Sequence, residues 1–313
     1  MLNVVAAVIH NPQGQLLIAQ RPLHKHQGGL WEFAGGKVDA DETPEQALVR
    51  ELQEELGIQA TEYRRLLTVE HHYPDKSVRL QVFRVTRFTG EAHGAEGQPV
   101  LWITPAQFAD YAFPAANGPI IKAALLPEKY HITPEPHEVG GDLVAWLTPR
   151  ITQGMFVCLR AKTLAKADYL TLAQQVAVIC QQRQAALILH YHVDLLVDVP
   201  LAAGLHLTAQ QLHSVQSRQD LGLAAQHYLW VSAHNITELN QAWCLGADAA
   251  TLSPIKNTVS HPEQTGLGWP YFVACVQQAK LPVYALGGML MQDTHLAQHY
   301  GGQGIAGIRG LFS

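Results

Sequence analysis

Glu51, Glu54 and Glu55 stand at positions i, i+3 and i+4. On a helix that spacing puts three carboxylates on neighbouring positions of one face, where like charges repel by a few tenths of a kcal/mol per pair. A hard divalent cation would remove the repulsion. Carboxylates converging without a basic run nearby suit Mg²⁺ or Mn²⁺, which bind few protein groups because substrate phosphates complete the shell. A solvated acidic face, the usual place of a Glu-rich helix, has the same spacing, so the triplet alone leaves both readings open.

The element that must carry these residues has clear ends. Thr43 is a good N-cap, Pro44 suits the first helical position, Gln46 falls three after Thr43, and Gly57 marks a stop. Ala47, Leu48, Leu52 and Leu56 form one apolar stripe along it. Upstream, Asn3 to Ile9 and Leu16 to Gln20 are expected strands, joined as a hairpin by Asn11-Pro12-Gln13-Gly14. Gly28 to Phe33 leads into the helix. Downstream come strands at about Glu62 to Glu70 and Val78 to Phe88, separated by the turn Tyr73-Pro74-Asp75-Lys76. A strand at Val100 to Ile103 follows, then helical pieces at Pro105 to Asp110 and Ile120 to Leu126. These predict an α/β domain over residues 1–126, a mixed sheet packed against helices.

A linker at Leu126-Pro127-Glu128-Lys129 precedes a change of rhythm. Eight short apolar strands alternate with helical segments over 129–313: Tyr130 to Thr133, Met155 to Leu159, Ala186 to His190, Gly204 to Leu207, Tyr228 to Ser232, Ala249 to Leu252, Val283 to Leu286 and Gly304 to Ile308. That predicts a (β/α)₈ TIM barrel. A chain of 313 residues, 48% hydrophobic and 15% charged, accommodates two such cores.

A net charge of −5 gives no basic footprint, so a nucleic-acid polymer is not an expected partner. No apolar run spans a bilayer and no basic leader precedes the first strand, so neither a membrane nor secretion is expected. Cys158, Cys180, Cys244 and Cys275 lie far apart in apolar segments, without CxxC spacing. They read as buried free thiols of a cytoplasmic protein. The 17 histidines show no HExxH or comparable spacing.

The run from Gly36 through Glu42, Arg50-Glu51-Leu52 and Glu54-Glu55 to Gly57-Ile58 matches the Nudix box at every defining position. The resemblance implies an α/β/α sandwich and a pyrophosphohydrolase. It also implies Glu51, Glu54 and Glu55 as metal ligands, Glu51 as candidate base for the attacking water, and Arg50 as the partner that orients Glu42. Residues 2 to 126 further resemble the MutT branch, which removes oxidised guanine nucleotides. The carriers are Trp31-Glu32-Phe33-Ala34-Gly35-Gly36-Lys37, Glu42-Thr43-Pro44-Glu45-Gln46-Ala47, Glu96-Gly97-Gln98-Pro99 and Phe113-Pro114-Ala115-Ala116-Asn117. By position, Gly36 would lend a carbonyl to the metal and Glu96 a further carboxylate. Lys37 would face the phosphates, Arg21 and Asn117 would contact the oxidised base, and Phe33 would line the pocket. Ala34 departs from the proline usual there. Asn117 also suits a helix N-cap before Gly118-Pro119.

The resemblance implies Mg²⁺-dependent conversion of 8-oxo-dGTP to 8-oxo-dGMP and pyrophosphate, through attack at the β-phosphorus. Physically, 8-oxoguanine carries N7–H where guanine has an acceptor, and a fixed amide can satisfy one pattern and leave a buried group unpaired against the other.

Residues 129–313 resemble the thiamin phosphate synthase and TenI family. The carriers are Leu159-Arg160-Ala161-Lys162, Gly204-Leu205-His206-Leu207, Val231-Ser232-Ala233-His234, Gly246-Ala247-Asp248, Ser260-His261-Pro262, Gly266-Leu267-Gly268, Ala285-Leu286-Gly287-Gly288-Met289 and Gly304 to Arg309. Gly287, Gly288, Gly307 and Arg309 fall at the seventh and eighth strand ends, where barrels commonly bind phosphate. The resemblance implies a phosphorylated thiazole or thiamin ligand. Yet His190-Tyr191-His192 stands where the synthases carry Asn-Asp-Arg, Thr208-Ala209-Gln210 replaces a second metal carboxylate, and Pro254 stands where the tautomerases place a catalytic histidine. The barrel is therefore expected to bind a ligand or support the enzyme, without catalysis. Two alternatives stay open: a Nudix activity on thiamin-pathway diphosphates, and a hydrolase regulated by a thiazole or thiamin phosphate held in the barrel.

Overall fold

The computed structural model describes residues 1–24, 27–74, 76–258 and 265–312. Ser260-His261-Pro262, and Asp75 of the expected turn, lie outside the described residues. The chain divides into two compact units, Met1–Leu126 and Pro127–Ser313.

The first unit is built on strands β1 (Leu2–Ile9), β2 (Leu16–Gln20), β3 (Trp31–Glu32), β4 (Gln59–His72), β5 (Ser77–Thr89) and β6 (Val100–Ile103), with helices α1 (Pro44–Leu56) and α2 (Gly118–Leu125). One sheet is mixed, ordered β1-β5-β4, with β1 parallel and β4 antiparallel to β5; the other is antiparallel, ordered β3-β2-β6. Strand alternation sends Val5, Ala7 and Ile9 into one core with Leu48, Leu52 and Leu56 of α1. Ala6 and Val8 go to a second core with Ile120 and Ala123 of α2. Helix, sheet and helix thus form the expected sandwich.

The hairpin expected between β1 and β2 does not form. The turn itself closes, Gly14 N–H donating to Asn11 O at 3.0 Å. After a single bridge between His10 and Leu16, however, the strands part into different sheets. Both are apolar on both faces and buried along most of their length, so each finds separate neighbours.

The second unit is a closed, all-parallel barrel of β7 (Lys129–Ile132), β8 (Phe156–Leu159), β9 (Ala186–His190), β10 (Gly204–Leu207), β11 (Tyr228–Ala233), β12 (Ala249–Leu252), β13 (Val283–Leu286) and β14 (Gly304–Gly307). All eight strands coincide with the sequence expectation to within a residue at either end. Rings fill part of its interior: Tyr130 stacks on Trp230 at 3.7 Å between centroids, and Trp230 on Tyr284 at 4.8 Å. Cys158, Cys180 and Cys275 are buried, as expected. Cys244 is exposed, because the last turn of helix Ile236–Cys244 turns it outward. Among the described residues no helix is long and apolar enough to cross a membrane.

Candidate active site

Helix α1 positions the acidic residues, and its ends form as the sequence dictates. Thr43 Oγ1 accepts from Gln46 N–H at 3.2 Å, and Gln46 Oε1 accepts from Thr43 N–H at 2.8 Å. Pro44 opens the helix, and Gly57 closes it at φ 66°, where a β-carbon would come within 2.4 Å of the His93 ring.

Arg50 is the hub of the exposed side of this helix. Its Nε lies 3.1 Å from Glu42 Oε2 and its Nη2 2.5 Å from Glu42 Oε1, a two-pronged grip. Nη1 donates to Glu51 at 2.9 Å and to Glu54 at 3.0 Å, and Nη2 donates to the Lys37 carbonyl at 3.0 Å. The sequence reading gave Arg50 only to Glu42. Arg50 holds the Glu42 carboxyl below its usual range. Glu51 is pushed up, first by burial, against the pull of Arg50.

Glu55 lies apart from this network and accepts a hydrogen bond from Gly35 N–H at 3.0 Å. Burial, followed by the charges of Glu32, Glu51 and Glu96, outweighs that bond and raises its carboxyl to about 7. Gly36 is required for close approach, since a β-carbon there would sit 2.2 Å from the Glu51 carboxylate; its carbonyl accepts from Val5 N–H at 2.8 Å. Lys37 is exposed.

Among the described residues no three His, Cys, Asp or Glu side chains are gathered as a metal site. Arg50 holds Glu51 and Glu54, and Glu55 turns to Gly35. The donors still fit a hard divalent cation: all are carboxylate oxygens, two are destabilised as anions by burial, and Gly36 leaves room beside Glu51.

The residues assigned to base recognition are placed differently from one another. Arg21 is ion-paired with Glu32. Phe33 is buried and packs against Phe108 and Phe113 at 6.1 and 6.2 Å between centroids, so its ring belongs to the core. Asn117 occupies the N-cap position of α2, yet its side chain makes no capping hydrogen bond and the residue is buried. Sequence reasoning gave no role to Glu32 or Gln98, although both stand inside runs that carry the MutT resemblance. Their part shows in contacts of Glu32 with Arg21 and of Gln98 with Glu55 and Glu96.

At the barrel mouth, His190-Tyr191-His192 forms a tight turn in which His192 N–H donates to His190 O at 2.9 Å and Tyr191 sits at φ 74°, a strained value for an aromatic residue. His190 Nδ1 and His192 Nε2 are buried without a hydrogen-bond partner in the protein. Burial drives the His190 imidazole well below its ordinary range, favouring the neutral form. Thr208 is an N-cap, with Gln211 completing a capping box, and so begins a helix where a metal carboxylate would stand. These residues do not fit the Mg²⁺ that the synthases hold. Gly287 and Gly288 take positive φ at 99° and 66°, Gly307 lies in β14, and Arg309 is ion-paired with Glu138.

A family profile described as a NUDIX domain matches residues 5–123, and one described as thiamine monophosphate synthase matches 129–311. Over 123 residues the chain is 42% identical to the CTP pyrophosphohydrolase of Escherichia coli (strain K12), spanning 39% of this chain and 90% of that protein. Over 96 residues it is 49% identical to the 8-oxo-dGTP diphosphatase of Proteus vulgaris, spanning 31% and 86%. The second unit is 32% identical over 185 residues to the putative thiamine-phosphate synthase 2 of Aquifex aeolicus (strain VF5), spanning 58% and 96%. With α1 carrying the acidic residues and a closed parallel barrel behind it in sequence, the chain belongs to the Nudix family, as a pyrophosphohydrolase, through its first unit and to the thiamine monophosphate synthase family through its second.

Proposed function

We propose that the first unit is a Mg²⁺- or Mn²⁺-dependent nucleoside triphosphate pyrophosphohydrolase that acts on oxidised purine nucleotides, converting 8-oxo-dGTP to 8-oxo-dGMP and pyrophosphate. The observation that carries the substrate is Asn117, a buried residue at an N-cap position whose amide does not cap and would offer its donor and acceptor to a base edge. Several relatives are named 8-oxo-dGTP diphosphatases.

Glu51, Glu54 and Glu55, with Glu96 and the Gly36 carbonyl, would hold the cation, which when bound supplies charge neutralisation of the phosphates and a more acidic water. Arg50 fixes Glu51 and Glu54 in rotamer and keeps Glu42 ionised. Burial raises the affinity of the Glu55 carboxylate for a proton in the metal-free protein, and a bound cation would lower it again. Lys37, exposed at the edge of the site, supplies a cation for the phosphates.

The test pairs a substrate panel with Asn117→Ala. That variant is expected to raise KM for 8-oxo-dGTP by about tenfold or more relative to dGTP, the scale of a lost polar match. Equal losses on both nucleotides would show that Asn117 is structural. A pyrimidine reading is favoured by the 42% identity to the CTP pyrophosphohydrolase; faster turnover of CTP than of 8-oxo-dGTP would establish it. The barrel we read as a metal-free site for a phosphorylated thiazole or thiamin, formed by Gly287, Gly288, Gly307 and Arg309, and calorimetry with those ligands tests it. The place of action is proposed to be the cytoplasm.

A further inference from the structure

The carbonyls of the last turn of α1 need donors that the helix cannot supply. Gly57 N–H and Ile58 N–H return to Gln53 and Leu52 at 3.1 and 3.3 Å, and His93 N–H reaches Leu56 O at 3.1 Å. Glu55 O receives two donors, Ala95 N–H at 2.9 Å and Gln98 Nε2 at 2.8 Å. The second donor takes the remaining lone pair of that oxygen and comes from a side chain rather than from the loop backbone.

The other end of the same amide explains it. Gln98 Oε1 accepts from the backbone N–H of Glu96 at 3.0 Å, and the intervening chain is drawn into a turn by Gly97 N–H to Gly94 O at 2.9 Å. One half-buried side chain thus joins the backbone of Glu96 to the backbone of Glu55. Glu55 is anchored at its carboxylate by Gly35 N–H, and the amide ties together the two stretches of backbone from which both carboxylates extend. We propose that Gln98 is a positioning residue that sets the Glu96 carboxylate against Glu55 and thereby completes the divalent-cation site; this rests on the reading of Glu96 as a ligand.

The experiment measures Mn²⁺ binding by the nucleotide-free full chain, from the paramagnetic resonance of free Mn²⁺. Gln98→Ala is expected to weaken binding by about tenfold, the usual effect of removing a group that orients a ligand. Gln98→Glu keeps the shape and the acceptor for Glu96 N–H but loses the donor to Glu55 O. It is expected to match Gln98→Ala, and it carries the test if the alanine variant does not fold. Adding Glu96→Gln to either variant should cost no more than about twofold beyond Glu96→Gln alone, because the two residues act as one. Normal Mn²⁺ binding by the Gln98 variants, or losses that multiply in the double variant, overturns the proposal and leaves Glu96 a ligand. Normal binding by Glu96→Gln overturns the ligand reading, and the proposal with it.

Discussion

At the scale of single residues, the balance of charge along α1 governs what each carboxylate can do. Glu54 is the most exposed of the three and bonds to Arg50 alone among the contacts described, so Glu54→Gln changes charge without disturbing the core. Turnover at saturating Mg²⁺ should fall by about a thousandfold, an electrostatic loss of about 4 kcal/mol, while circular dichroism and melting temperature stay as in the parent. Near-normal turnover would remove Glu54 from the site. Glu55 gives a pH dependence of definite sign. Its folded pKa of about 7 lies above its unfolded value, so the folded state binds the extra proton. In the presence of a chelator, the stability advantage of the parent first unit over Glu55→Gln should shrink as pH rises from 4.5 through 7, by at most about 3 kcal/mol. Comparison with the variant removes the opposite contribution of His10, whose imidazole is lowered to about 3 by burial, so that it favours the folded state increasingly as pH rises to 6.5. Mg²⁺ should oppose the loss, and a difference that stays constant or grows over that range would contradict the assignment.

At the scale of elements, α1 was legible in the sequence because its determinants are local: a cap, a proline, an apolar stripe and a terminal glycine each specify their own residue. Thr43→Ala removes the capping-box acceptor and should cost about 1 kcal/mol in denaturant unfolding of the first unit. A change below about 0.3 kcal/mol would mean that packing against β1 carries the helix start without the cap. The barrel strands were legible for a related reason, since short apolar runs between turn signals have few other uses. The β1–β2 pairing was not legible. Two runs apolar on both faces around a good turn read as a hairpin, and only the competing neighbours, β3 nearby and β5 and β6 distant in sequence, decide otherwise. Site contacts divide the same way. Arg50 with Glu42 followed from the box, whereas Gln98 with Glu55 depends on a loop meeting a helix end forty-three residues earlier.

At the scale of the whole molecule, the core residues around α1 and α2 all belong to 1–126 and those of the barrel to 127–313. Each unit has its own interior, as independently folding domains do. Residues 1–126 alone should therefore retain kcat for the nucleotide within about tenfold, roughly 1.4 kcal/mol of barrier. A truncated unit that is folded by circular dichroism yet loses more would show that the barrel contributes to catalysis. The closure of the barrel between β14 and β7, with Lys129 paired to Ile305, bears on synthesis. Every strand of the sandwich precedes residue 104, whereas the ring cannot close until Gly304–Gly307 has left the ribosome. The hydrolase can thus acquire its native structure while most of the barrel is still being translated, leaving the apolar strand edges of the unfinished ring as the stretch of the chain most in need of a chaperone.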